Sequence, residues 1–316
     1  MQWHPTQFFC DGPPKVPFVV LVLNQPINRH AYQVIKRHAS FILCADGGAN
    51  RFLNLTQSIG SENVELPDAI VGDLDSIHPE VREYYENLNV EVVQDKDQYS
   101  TDFTKCLRYL HANSNNILNR AAQRNTSKAG EGSKLANRNP GTGLPAPEVQ
   151  KSHKELDIVV LGGLGGRVDQ GFSQIHHLYC ASHSHSSSTD NSWPDGELYL
   201  VSEESITFFL RVGKNVIHTP GGSSLGPHEQ ITNYQAKSSS PYLSENIGII
   251  PVMGPSIINT KGFEWDVNDW KTEFGGLLST SNHIRAEVVE VETTAPVLFT
   301  AELAPMLKSD YVRDSL

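Results

Sequence analysis

The sequence predicts an α/β plus all-β protein, with an N-terminal, mainly parallel α/β sheet domain followed by a C-terminal β-sandwich (jelly-roll-like) domain. Three observations carry that prediction. Between residues 18 and 112, short apolar runs alternate with segments of helical period, the pattern of a parallel sheet covered on both faces. The same alternation resumes at 156–181. After residue 197 the helical period disappears, and short β-rich runs follow one another between Gly, Pro and Ser turns. A chain of 316 residues is long for one compact core, and we place the two units at 1–196 and 197–316.

The first strand is FVVLVLN at 18–24, apolar throughout as a strand buried on both faces must be. RHAYQVIKRH at 29–38 reads as a helix, and FILCADGG at 41–48 returns to a strand that ends in an acid and a tight turn. DAIVGDLDS at 68–76 repeats that design with two acids, and VEVVQD at 90–95 supplies a further strand. DFTKCLRYLHA at 102–112 is a helix with Ser100 or Thr101 as N-cap and Phe103, Leu107 and Leu110 as its buried stripe. From 113 to 154 the chain is rich in Asn, Ser, Gly, Lys and Pro, and is expected to be a mostly disordered insertion. The strand DIVVL then leads into four glycines and a second helical segment, FSQIHHLYCA. The Ser-rich tract at 182–196 reads as a solvated loop in which His183 and His185 have no structured partners. The β unit follows as ELYLVSEESITFFL, NVIHTP, IGIIPVMG, SIINTKGFEWDV and AEVVEVETTAPVLFTAEL, interrupted by a polar loop near 221–241.

Composition narrows the function. Twenty-five Lys and Arg against 36 Asp and Glu give a net charge of -11, which argues against a nucleic-acid partner. A nucleotide remains compatible, because a divalent cation can stand between carboxylates and phosphates. Cys10, Cys44, Cys106 and Cys180 form no C-x-x-C pair and suggest neither zinc nor disulfides. The apolar run at 18–23 is too short to span a bilayer, so the expectation is a cytoplasmic protein without a membrane partner.

The acids stand where chemistry is expected. In parallel sheets ligands collect beyond the carboxyl ends of the strands, and Asp46, Asp73 and Asp75 follow strand ends while Asp102 opens a helix. Each has a plain structural reading: Asp is a favoured turn residue, and at a helix start it compensates the dipole. Together on one sheet edge they repel one another unless a cation resides there, and carboxylates suit a hard ion such as Mg²⁺. The glycines of LGGLGGRVDQ at 161–170 allow close backbone approach to a phosphate in front of a helix N-terminus. They match neither the Walker pattern nor G-x-G-x-x-G.

The chain resembles thiamine pyrophosphokinases of the eukaryotic type. The resemblance rests on CADGGANR (44–51), DAIVGDLDSI (68–77), DQYSTDFTKCL (97–107), LGGLGGRVDQ (161–170), GFEWDV (262–267) and STSNHI (279–284), which cover both halves in the family's order. It implies transfer of the pyrophosphoryl group of ATP to thiamine, giving thiamine diphosphate and AMP, by a Mg²⁺-dependent homodimer with thiamine sites between subunits. By the same matching, Asp46, Asp73, Asp75 and Asp102 are the metal and phosphate cluster, and Gln98, Thr101 and Lys105 lie near the phosphates. Arg167, Asp169 and Gln170 fall on the nucleotide side, and Trp265, Ser281 and Asn282 on the thiamine side. Asp73, Asp75, Asp102 and Lys105 are expected to carry the catalysis. From the residues alone Trp265 would be a core side chain, sharing a strand face with Phe263 and Val267. The alternatives are another Mg²⁺-dependent pyrophosphokinase or phosphotransferase acting on a hydroxylated heterocycle, and a non-catalytic thiamine-binding protein.

Overall fold

A computed structural model describes residues 1–131, 155–184, 196–219 and 242–308. Among these residues the helices are α1 (Arg29–Ile35), α2 (Gly48–Ser58), α3 (Pro79–Asn87), α4 (Asp102–Glu131) and α5 (Val168–Ser184). The strands of the N-terminal part are β1 (Gln2–Trp3), β2 (Phe18–Val22), β3 (Phe41–Ala45), β4 (Ala69–Gly72), β5 (Glu91–Gln94) and β6 (Asp157–Leu161). Those that follow are β7 (Leu198–Val201), β8 (Ser205–Leu210), β9 (Gly213–His218), β10 (Leu243–Ile250), β11 (Ser256–Lys261), β12 (Trp270–Thr272), β13 (Ser279–His283), β14 (Val288–Thr293) and β15 (Val297–Leu303).

The parallel part is ordered β7-β6-β2-β3-β4-β5. Its central strands are buried along their whole length because helices cover both faces, and successive residues of β2 feed opposite cores. Val20 and Val22 pack with Tyr32, Phe52 and Tyr85, while Val19 and Leu21 pack with Phe103, Leu107 and Leu178. The expected C-terminal β architecture is present as well. β8, β15, β10 and β13 extend the same sheet in antiparallel fashion, and β9, β14, β11 and β12 form a second antiparallel layer. Phe208 and Phe299 of the first meet Ile217, Ile258, Val289 and Val291 of the second in one core. The parallel and antiparallel portions are therefore one ten-stranded sheet, and pairing changes direction between β7 and β8, just beyond residue 196. β1 joins the second layer through Trp3, which pairs with Ile217 and donates from Nε1 to Asn215 Oδ1 at 3.0 Å.

One expectation is corrected. The insertion was placed from residue 113, yet α4 continues to Glu131. Ile117 and Ala121 are buried and prolong the stripe of Phe103, Leu107 and Leu110 at helical spacing, so the polar residues between them are its solvent face. α5 likewise takes the first residues of the Ser-rich tract, as far as Ser184. The remainders of the expected insertions, 132–154 and 185–195, and the polar loop near 221–241 lie outside the described residues.

Asp157 opens β6 and is 4% exposed. Its Oδ1 accepts from the Glu197 N–H at 2.9 Å and its Oδ2 from Gln7 Nε2 at 3.3 Å. Burial pushes its carboxyl up to about 7. The folded-state value thus lies above the unfolded one, so the stability associated with this group is complete below the unfolded value and is lost as pH rises through about 7. Asp157→Asn removes the charge and keeps an acceptor. It is expected to stabilise the protein by on the order of 1 to 2 kcal/mol at pH 8 and to be near neutral at pH 4. Equal melting shifts at the two pH values would refute this.

Candidate active site

The three acids are brought together by three different local devices. Asp46 leaves β3 in the left-handed region, φ 37°, which Asp tolerates better than most residues, and its N–H bonds to Val71 O on β4. Its buried carboxylate accepts from the N–H groups of Ile77 at 2.8 Å and Ser76 at 3.3 Å. Asp73 follows β4, where Gly72 permits the approach: a Cβ there would stand 2.6 Å from Asp46 Cβ and 3.2 Å from Asp102 Oδ1. Asp102 sits in the first turn of α4, whose N-cap is Thr101, with Oγ1 accepting from the Thr104 N–H at 3.2 Å.

Carboxylate oxygens of Asp46, Asp73 and Asp102 lie within 4.8 Å of one another. Lys105, one turn along α4 and 1% exposed at its side chain, places Nζ 2.9 Å from Asp73 Oδ2 and 3.1 Å from Asp102 Oδ1. Burial pushes Asp46 up to about 6, against the pull of its two backbone N–H bonds. The Lys105 hydrogen bond holds Asp73 below the usual carboxylate range. Burial draws the Lys105 ammonium down, but its bonds to the two acids outweigh that and hold it above its ordinary value. With three carboxylates ionised and one ammonium the cluster keeps a net charge of -2, and its donors are all oxygen, the set that suits a hard divalent cation.

Asp73 and Asp102 line a cavity of about 530 Å³, with Ala45 and Gly47 on either side of the buried Asp46. Thr101, Arg167 and Gln170 line it too, so residues from four separate sequence stretches converge as expected. Asp75 reaches the rim of this cavity but not the cluster: it is exposed and its Oδ1 accepts from Ser76 Oγ at 2.8 Å. Leu74, at φ 67°, turns the chain between the two acids. Asp169 is paired with Arg167, Oδ1 to Nε at 3.1 Å, outside the lining. Gln98 is exposed and also outside it. Its turn is held instead by Asp97, which accepts from Ser100 Oγ and the Tyr99 N–H and pairs with Arg108. Asn24, Gln25 and Ser173 line the cavity without having been singled out, although Asn24 and Gln25 follow the end of the central strand β2, where such residues are expected.

The second group gathers elsewhere. Trp265 N–H donates to Asn282 Oδ1 at 3.2 Å and Asn282 Nδ2 returns to Trp265 O at 3.0 Å. Ser281, at φ 59°, lines a cavity of about 460 Å³ with Asn246, Thr280 and Glu302. Trp265 is not on a strand face: Asp266 accepts from the N–H groups of Gly262 and Phe263 and bends the chain, burying Phe263 and leaving Trp265 54% exposed. Six strands of the long sheet lie between β13 and β3, so seven strand spacings, roughly 34 Å measured along the sheet, separate them.

A parallel sheet with carboxylates gathered at its strand ends, beside a polar cavity and a separate β layer, is an arrangement suited to phosphotransfer. The chain belongs to the thiamine pyrophosphokinase family. Residues 32–188 match the family described as thiamin pyrophosphokinase, catalytic domain, and residues 232–298 match thiamin pyrophosphokinase, vitamin B1 binding domain. It is 31% identical to thiamine pyrophosphokinase 1 of Oryza sativa subsp. japonica over 296 residues, covering 90% of this chain and 87% of the relative. It resembles the solved thiamin pyrophosphokinase of Candida albicans with a TM-score of 0.67 at 25% identity, over 96% of this chain and 93% of the other. The yeast enzyme's structure matches the fold with a TM-score of 0.70 at 23% identity, over 96% and 91% of the chains.

Proposed function

We propose that the 530 Å³ cavity binds Mg²⁺–ATP and that this chain moves the pyrophosphoryl group to the hydroxyl of thiamine, yielding thiamine diphosphate and AMP. Thiamine diphosphokinase activity is that of the family. The single observation that carries the assignment of residues is the Asp46–Asp73–Asp102 cluster, of which Asp73 and Asp102 line that cavity while Asp46 and Lys105 lie buried behind them. Asp46, Asp73 and Asp102 would hold the Mg²⁺, with Asp75 at the rim. Bound there, the ion would neutralise phosphate charge and polarise the transferred group. Lys105 fixes the carboxylates in one arrangement before any nucleotide arrives, and such preorganisation is most of what phosphoryl-type transfer asks of a protein. Thr101 presents its hydroxyl and the helix N-terminus of α4 to the cavity, while Arg167 and Gln170 supply donors for the nucleotide.

We assign the nucleotide to residues 1–196 and thiamine to 197–316, at Trp265, Ser281 and Asn282. An exposed indole fits a flat cation by stacking and cation–π attraction. The distance between that group and the acids on the same chain supports a homodimer in which each reaction centre draws on two subunits. Cys44 and Cys106, buried as thiols, accord with a cytoplasmic setting.

Incubation with thiamine, ATP and Mg²⁺ should release AMP in step with thiamine diphosphate. Release of ADP, or turnover of other hydroxylated heterocycles in preference to thiamine, would favour a different phosphotransferase. No turnover with retained thiamine binding would leave a binding protein. Trp265→Ala is expected to weaken thiamine binding by roughly 0.5 to 2 kcal/mol while barely moving the melting temperature. A core indole would instead lose about 3 to 5 kcal/mol of stability, so a large melting shift with unchanged thiamine affinity would sink the stacking role.

A further inference from the structure

Gln174 stands on α5 one helical turn beyond Gln170 and lines the acid-bearing cavity, yet it is 6% exposed and its Oε1 has no hydrogen-bond partner. Buried polar atoms are ordinarily satisfied, so an orphan in a site wall points to a group that arrives with the ligand. Gly163 keeps room for the carboxamide, since a Cβ there would lie 2.9 Å from Oε1. Neighbouring lining groups are already engaged: Arg167 by Asp169, Asp73 and Asp102 by Lys105, and Thr101 by Thr104 and His177.

The chemistry of the missing partner follows from the acceptor. A carboxamide oxygen needs a proton donor, and ionised phosphate oxygens have none to give. Within a nucleotide the neutral donors are the exocyclic amine of the base and the hydroxyls of the sugar. We propose that Gln174 is a specificity-determining residue whose Oε1 accepts a hydrogen bond from the nucleoside portion of the substrate. This rests on the nucleotide occupying the acid-bearing cavity. A site built to bond a donor rejects an analogue that lacks it, because the buried acceptor is then orphaned again.

The test uses the full-length enzyme with saturating thiamine and Mg²⁺. KM is measured for ATP, purine riboside triphosphate, 2′-deoxy-ATP and 3′-deoxy-ATP, alongside equilibrium titrations with the four monophosphates. The wild-type protein is expected to bind one of the three analogues about 3- to 10-fold more weakly than its parent. Gln174→Leu should bind that analogue and the parent alike, and Gln174→Glu, which keeps an acceptor, should retain the discrimination. A loss confined to purine riboside identifies the base amine, and one confined to a deoxy compound identifies that hydroxyl. Should Gln174→Leu fail to fold, Gln174→Met, of similar length, replaces it. Equal affinity for all four compounds in the wild-type protein overturns the proposal, as does full discrimination in the Leu or Met variant. Asp73→Asn run in parallel separates the two levels. If it abolishes turnover while the analogue series is flat, only Gln174's role falls. If it leaves Mg²⁺-dependent turnover intact, the nucleotide is not in this cavity and both fall.

Discussion

Asp73→Asn should leave the protein folded and lower its turnover by about a thousandfold, the equivalent of the several kcal/mol that metal-assisted charge stabilisation supplies. The substitution preserves shape, and an amide oxygen still accepts from Lys105 Nζ, now 2.9 Å from Asp73 Oδ2. What disappears is one negative charge from a cluster of three carboxylates. Stability should fall by only about 1 kcal/mol, the ordinary worth of a weakened hydrogen bond. Turnover measured across a Mg²⁺ titration, with melting followed on the same sample, decides the matter. Near wild-type turnover with an unchanged metal dependence would reduce the VGDLDS segment to an ordinary turn.

Lys105→Met should act in the opposite sense, on folding first. The ammonium is buried between Asp73 and Asp102 with Asp46 close by, and removing it leaves the partly buried Asp73 and Asp102 without their counter-charge. Breaking one side of a buried pair costs about 3 to 5 kcal/mol. The pH dependence has a definite sign. The Lys105 bond depresses the Asp73 value, so it contributes stability that is complete above the unfolded carboxylate value and is lost as pH falls below that value and through the lower folded one. The gap between the two proteins should therefore be widest near pH 7 and shrink towards pH 4. In the variant Mg²⁺ should restore part of the loss, since a ligand that binds only the folded state stabilises it by mass action. Urea titrations in chelator at both pH values, repeated with Mg²⁺, provide the check. A variant as stable as the wild-type protein at pH 7 in chelator would show that Lys105 does not hold the acids together.

Much of this site is legible in the sequence because strand ends are legible. FILCAD and DAIVGD announce where β3 and β4 stop, and a parallel sheet puts both stops on one edge, so Asp46 and Asp73 had to be neighbours. Asp102 followed from its place at a helix start. Asp75 follows the same strand end and lines the same cavity, but stands outside the Asp46–Asp73–Asp102 group because Leu74, at φ 67°, turns the chain between Asp73 and Asp75. The reading of GFEWDV as a strand failed for a related reason: Asp266 captures two backbone N–H groups that a ladder would otherwise use. α4 was cut short because composition averaged over 113–154 concealed two apolar residues, Ile117 and Ala121, at the right spacing. The orphaned Oε1 of Gln174 had no sequence signal beyond its position four residues after Gln170, since satisfaction of a side chain is a property of the packed structure alone.

The pairing of β1 with β9 sets an order of events during synthesis. Gln2 and Trp3 are synthesised more than two hundred positions ahead of their partners Val216 and Ile217. The parallel strands between them can assemble meanwhile, because β2 to β6 need none of the later layer for their own pairing. Trp3, almost wholly buried in the folded chain, must wait with its indole in water, and so separation along the chain rather than stability governs when β1 is locked. A nascent chain arrested before residue 216 would hold the paired strands β2 to β6 while Gln2 and Trp3 still lacked their partners, leaving that segment open to chaperones or proteases.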